Sequence, residues 1–120
     1  LSELRRELIA AENDIYRIFN ELNLDDEYDI ICREEARARS QFRHRVCKAR
    51  LYWEAVEQSA EKFAEDEGNW SSGLDDEYHS GVLRLKMRDL AAAHPDLRAA
   101  LERHRDLQRA YDAARERSEE

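Results

Sequence analysis

Nothing in this chain approaches the run of about 18 apolar residues that a membrane-spanning helix needs, so no span is predicted. Proline occurs once and glycine three times in 120 residues. That leaves few of the breaks that separate short strands, and predicts long helices with few or no strands. A basic excess is missing too. The formal net charge is −8, whereas surfaces that bind nucleic acid or anionic membrane are usually basic, so no nucleic-acid partner is predicted. Cys-x-x-Cys, His-Glu-x-x-His, the twelve-residue calcium loop and a serine flanked by glycines are all absent, and with them the spacings that mark redox, zinc, calcium or nucleophilic-serine chemistry. No catalytic residue, metal site or cofactor is predicted.

What is present suits a thin helical core. Charged residues make up 40% of the chain and hydrophobic ones 42%, with two Trp, five Tyr and three Phe. That is enough apolar material to fold despite the charge. The length matches one domain, residues 1–120. The chain begins at Leu1 without a methionine, as a processed mature form or a trimmed piece would.

Leu4, Leu8, Ala11, Ile15, Ile18 and Leu22 recur at alternating steps of four and three, with Phe19 beside them. This predicts an amphipathic helix capped by Ser2 and ending near Asn23. Residues 28–32 mix aromatic and β-branched side chains and read as an extended piece or one helical turn. Helix is predicted again from Ala36 to Glu67, with Tyr52, Val56, Ser59 and Phe63 inward and a possible break at Ser40. The Gly68–Gly73 segment is the clearest loop. A third helix follows, capped by Asp75 or Asp76, with Tyr78, Val82, Leu85, Leu83, Met87 and Leu90 predicted inward. Pro95 suits the first turn of a fourth helix with Leu97, Leu101, His104, Leu107 and Tyr111 inward. The fold class expected is all-α: a small antiparallel bundle or stacked helical hairpins of about four helices.

Cys32 and Cys47 are the only cysteines. They are read as one structural disulfide or as two free thiols, and their spacing alone does not choose. A cross-link there would close the least regular stretch of the chain and remove unfolded-state entropy worth roughly 3 kcal/mol. The same segment is the one basic patch. Residues 33–50 hold seven Arg and Lys against Glu34 and Glu35, a local charge of +5 that leaves −13 for the remainder. Arg37, Arg39, Arg43, Arg45 and Lys48 are therefore candidate anion-binding residues, although pairing with acidic helix faces is the plainer fate of such charge. Trp53 and Trp70 are candidate interface residues, since tryptophan on a surface or in a Gly-Ser loop is more typical of contacts than of solubility.

The stretch Tyr16-x-x-Phe19-Asn20-x-Leu22-Asn23-x-Asp25-Asp26-Glu27-Tyr28-Asp29-Ile30-x-Cys32, followed by Arg45-Val46-Cys47, resembles a group of small proteobacterial secreted or periplasmic helical proteins. The resemblance covers roughly residues 8 to 56. It implies an exported protein, an oxidised Cys32–Cys47 pair, and helix one packed on the segment after Cys47. In that group a Gly-Ser-containing turn separates the cysteines; here Ala36-Arg37-Ala38-Arg39-Ser40-Gln41 stands in its place. No activity is implied.

The leading expectation is a non-enzymatic periplasmic or secreted helical protein that acts through protein contacts, with a protein partner or a homo-oligomer. Two alternatives stand beside it. One is a module holding an anionic ligand or cell-envelope polymer on the basic segment; the other is a metal-dependent enzyme or metal carrier assembled from distant histidines.

Overall fold

A computed structural model describes residues 1–36, 43–66 and 76–119. The elements are α1 (Ser2–Leu22), one turn of 3-10 helix (Asp26–Tyr28), β1 (Ile30–Ala36), β2 (Arg43–Ala49), α2 (Arg50–Asp66), α3 (Asp76–Ala93) and α4 (Pro95–Glu119). Among the described residues there are four helices, but β1 and β2 pair as an antiparallel two-stranded sheet, so the chain is not all-α as the sequence predicted. The chain divides into two compact units. One contains residues 1–22 and 86–120, the other residues 23–85.

The first unit is built on α1 and α4. Leu8, Ala11, Ile15 and Phe19 of α1 are buried, as is Leu97 of α4, while Leu101, His104, Leu107 and Tyr111 are half-buried. Cross-contacts fix the direction. Arg5 meets Tyr111, Glu12 meets His104 and Asp14 meets Arg103, so the partner's number falls as that of α1 rises and the helices are antiparallel. The same register sets Phe19, fully shielded, opposite Leu97, also fully shielded. Burying these two side chains contributes about 1.5–3 kcal/mol each. The Arg103–Asp14 ion pair at the flank, 3.8 Å long and partly solvated, adds little.

Between α3 and α4 only His94 leaves the helical path. Its amide donates to the Leu90 carbonyl (2.8 Å) and its carbonyl accepts from the Arg98 amide (3.2 Å), so one residue closes one helix and opens the next. Pro95, which has no amide hydrogen to lose, follows in the first turn of α4.

The second unit starts where the apolar stripe of α1 stops. Asn23 folds the chain back: its side-chain amide donates to the Asp25 carbonyl (2.7 Å) and to Asp29 Oδ1 (3.2 Å), and its Oδ1 accepts from the Asp25 amide (3.2 Å). Asp25 in turn caps the 3-10 turn by accepting from the Glu27 amide. The polar side chain of Asn23 is buried with its hydrogen bonds made, as burial requires.

The sheet register pairs Ile30 with Ala49, Cys32 with Cys47, Glu34 with Arg45 and Ala36 with Arg43. The opposite face carries the pairs Ile31–Lys48, Arg33–Val46 and Glu35–His44. Cys32 and Cys47 form a disulfide with their Cα atoms 4.0 Å apart, the narrow separation at which facing side chains of an antiparallel pair lie closest.

The helix predicted over residues 36–67 therefore begins only at Arg50. Arg and Lys favour helix when nothing else decides. Here pairing with β1 and the cross-link decide, while the burial of β2 shows no two-residue alternation to announce a strand. α2 starts against the end of the sheet, where the Arg50 amide donates to the Asp29 carbonyl (2.9 Å). The Ser40 break, the Gly68–Gly73 loop and Trp70 lie outside the described residues.

Candidate functional site

The basic segment is used in several directions. Arg33 lies over the Trp53 ring, 4.7 Å from its centroid, and reaches Glu57 at 3.1 Å. Lys48 lies 5.3 Å from the centroid of Tyr52, and Arg50 approaches Asp29 Oδ2 at 3.9 Å. Tyr52 and Trp53 themselves meet edge to face, their centroids 5.2 Å apart. Cations over aromatic rings lower the exposure of the rings while keeping their own charge near water.

Of the five candidate anion-binding residues, Arg43 and Arg45 share one face of the sheet with the disulfide, whereas Lys48 belongs to the other face. Arg37 and Arg39 lie outside the described residues. The three described cations thus do not converge on a single point. Arg45 also stands opposite Glu34, which offsets part of its charge.

Trp53, a candidate interface residue, is 2% exposed, and its indole N–H donates to the Ile31 carbonyl (2.8 Å). It is a core residue that ties α2 to β1, so it has no surface to offer a partner. The sequence put Tyr52 on the inner stripe of this helix, and since adjacent residues are 100° apart both rings cannot centre on it; the structure gives that place to Trp53 and leaves Tyr52 half-buried.

The histidines are dispersed. His44 stands opposite Glu35 in the sheet, and His94 is the junction between α3 and α4. His104 places a shielded Nε2 near Glu12 Oε1 (3.5 Å) without a hydrogen bond. Nδ1 of His79 and the Tyr28 hydroxyl are 2.8 Å apart, a hydrogen bond whose direction follows the imidazole tautomer. Tyr28 is buried, and that burial, with Tyr78, Asp25 and Glu27 nearby, pushes its phenol above the ordinary value of 10.0. Among the described residues no three His, Cys, Asp or Glu side chains are grouped closely enough to hold a metal ion.

An open groove of about 400 Å³ lies where Arg17, Glu21 and Leu22 of α1 approach His94, Pro95 and Asp96. Its cation is already engaged, with Arg17 reaching Asp14 at 3.9 Å and Glu21 at 3.5 Å.

The surface of α3 departs most from the sequence expectation. Tyr78 and Leu85, predicted inward, are 62% and 52% exposed. With Val82, Gly81 and Arg84 they line an open groove of about 540 Å³. Tyr78, Val82 and Leu85 recur at steps of four and three, so they stand on one stripe of the helix. An apolar stripe facing outward lacks the role of solubility that polar residues would fill there. Sequence periodicity finds such a stripe but does not say whether it faces the chain's own core or the outside.

Compared with known proteins, the chain matches no family model, no curated protein and no solved structure. Among the described residues no helix is long and apolar enough to cross a membrane.

Proposed function

We propose that this is a non-enzymatic, exported helical protein that works through protein contacts, and that the outer stripe of α3 is the contact face. The observation that carries the reading is the exposure of Tyr78 and Leu85 on one helical stripe around an open groove. Large apolar side chains placed this way gain free energy only when another surface covers them, at about 25 cal/mol per Å² removed from water. The disulfide supports the exported half of the reading, because such bonds persist in oxidising compartments such as the periplasm or the outside of the cell.

A photoreactive residue replacing Val82 tests the contact in the cells that make the protein. Covalent adducts with protein are expected, and Leu85→Glu in the same chain should abolish them; the absence of any adduct refutes the reading. Export is read from the mass of natively produced, non-reduced protein after thiol alkylation. The expected mass lacks both alkyl groups and a leader, and two alkylated thiols would place the chain in a reducing compartment.

A further inference from the structure

Residues 43–49 form a strand that their own composition does not call for. We infer that this segment is a redox-controlled element: a strand while Cys32 and Cys47 are joined, and an extension of α2 toward the N-terminus once the bond is reduced to two thiols. The inference stands apart from the contact face on α3 and goes beyond it.

The argument starts from the junction. β2 ends at Ala49 and α2 begins at Arg50, with no residue between them. Neither glycine nor proline occurs from Arg43 to Arg50, so no single residue there stops a helix. A helix that already exists grows by one hydrogen bond per residue and escapes the cost of nucleation. The amides of Cys47 to Arg50 would leave their present partners for the carbonyls of Arg43 to Val46, four residues earlier. For Arg50 that means exchanging the Asp29 carbonyl for that of Val46.

The side chains suit both conformations. In the strand, Val46 and Ala49 belong to opposite faces of the sheet, across from Arg33 and Ile30. In a helix, positions 46, 49, 53 and 56 follow one another at steps of three, four and three, so Val46 and Ala49 would continue the stripe on which Trp53 is buried and Val56 half-buried. The same residues are thus apolar in the right places for two periods.

Neither conformation wins by much without the bond. A two-stranded sheet is marginal in water, while Arg43 and Arg45 would stand unfavourably at the positive end of a helix dipole. The disulfide decides the balance by holding Cys47 against Cys32, its facing residue in the register. Both cysteines are half-buried, which leaves the bond within reach of a reductant. That reductant is a dithiol. One of its thiolates attacks a sulfur of the pair to give a mixed disulfide, and its second thiol displaces that link. The dithiol gives up two electrons and two protons and becomes a disulfide, while Cys32 and Cys47 become thiols.

Backbone carbon chemical shifts of the full chain, oxidised and then reduced with dithiothreitol, test this. Strand shifts are expected at residues 43–49 in the oxidised chain. In the reduced chain, and in the chain carrying Cys32→Ser with Cys47→Ser, they should move toward helix, with a helical population of about one half because the opposing preferences are comparable. Ala49→Gly should lower the ratio of helix to other conformations about fivefold in the reduced chain. Arg43→Glu, at an exposed position opposite Ala36, should raise it about fivefold by placing an anion at the positive end of the dipole. Both variants should remain strand when oxidised. Reoxidation by a small-molecule disulfide should restore the strand shifts. Coil or strand shifts at residues 43–49 in the reduced chain, a helical signal indifferent to both substitutions, loss of helix from α2 itself, or a helix that persists after the bond has re-formed would each overturn the inference.

Discussion

The two units of this chain are held together by different kinds of force. In the unit of α1 and α4, Leu8, Ala11, Ile15, Phe19 and Leu97 form a continuous buried stripe, and the Asp14–Arg103 ion pair lies at its margin. In the unit of residues 23–85, the ordering among the described residues comes from the Asn23 turn, the Cys32–Cys47 link, the sheet register and the hydrogen bond from Trp53 to Ile31, with Tyr28, Ile30, Ala49 and Trp53 the buried apolar side chains among them. Long helices bury enough periodic apolar surface to organise themselves by packing. A two-stranded hairpin does not, since it is at best marginal in water without further support. Among its described residues, the second unit adds a covalent bond and directional polar contacts to its buried apolar side chains.

This contrast predicts opposite sensitivities. The largest effect is expected from Phe19→Ala, which deletes a fully shielded ring and should cost about 3–5 kcal/mol. Amide exchange should then accelerate in α1 and α4 while β1 and β2 keep their protection. Next is loss of the disulfide, by reduction or by Cys32→Ser with Cys47→Ser, which should cost roughly 3 kcal/mol and accelerate exchange in β1 and β2 with α4 unaffected. If either change loosened both units equally, the distinction between them would be wrong and the chain would unfold as one body.

Asn23→Ala comes third. It removes the hydrogen bonds that Asn23 makes with the Asp25 carbonyl and amide and with the Asp29 carboxylate in a half-buried place, a loss of about 1–3 kcal/mol measurable by urea denaturation. Asn23→Asp should be at least as damaging, since it keeps the acceptor but sets a third carboxylate beside Asp25 and Asp29.

The smallest expected effect is in tyrosine ionisation, which differs in sign between the units. Tyr111 accepts a hydrogen bond from the Arg5 guanidinium (3.1 Å), which lowers its phenol below 10.0, while burial raises that of Tyr28. The support that Tyr28 lends by staying neutral is complete below pH 10 and is lost as pH rises through its raised value. The phenolate of Tyr111 works the other way. Its contribution with Arg5 is present above pH 10 and is lost as pH falls through its lowered value. An absorbance titration should show the low-pH edge of tyrosine ionisation removed by Tyr111→Phe and the high-pH edge by Tyr28→Phe. Identical curves for the two variants would remove this part of the contrast.

The two units were also unequally legible before the fold was known. The period of α1 names its buried face because each inward residue of one helix meets the same apolar partner helix, so a local pattern and a tertiary one coincide. The Pro95 start of α4 is legible for a related reason: the missing amide hydrogen acts on the residue itself. β2 is not legible. Arg43, Arg45, Lys48 and Ala49 favour helix locally, and only the facing strand and the bond from Cys47 to Cys32 make them extended. The candidate anion site was read from proximity in sequence, which puts Arg43, Arg45 and Lys48 in one cluster, whereas the alternation of a strand sets them on two faces.

By itself, the sequence determined where the helices of the first unit run, which stripe of each is apolar, and where α3 gives way to α4, because those follow from periodicity and from the covalent limits of single residues. Only the tertiary structure decided that residues 43–49 form a strand, that Trp53 is core, and that the Tyr78–Leu85 stripe faces outward. Strand pairing and the choice of which apolar face is covered depend on residues far away in the chain, and no local pattern carries that information.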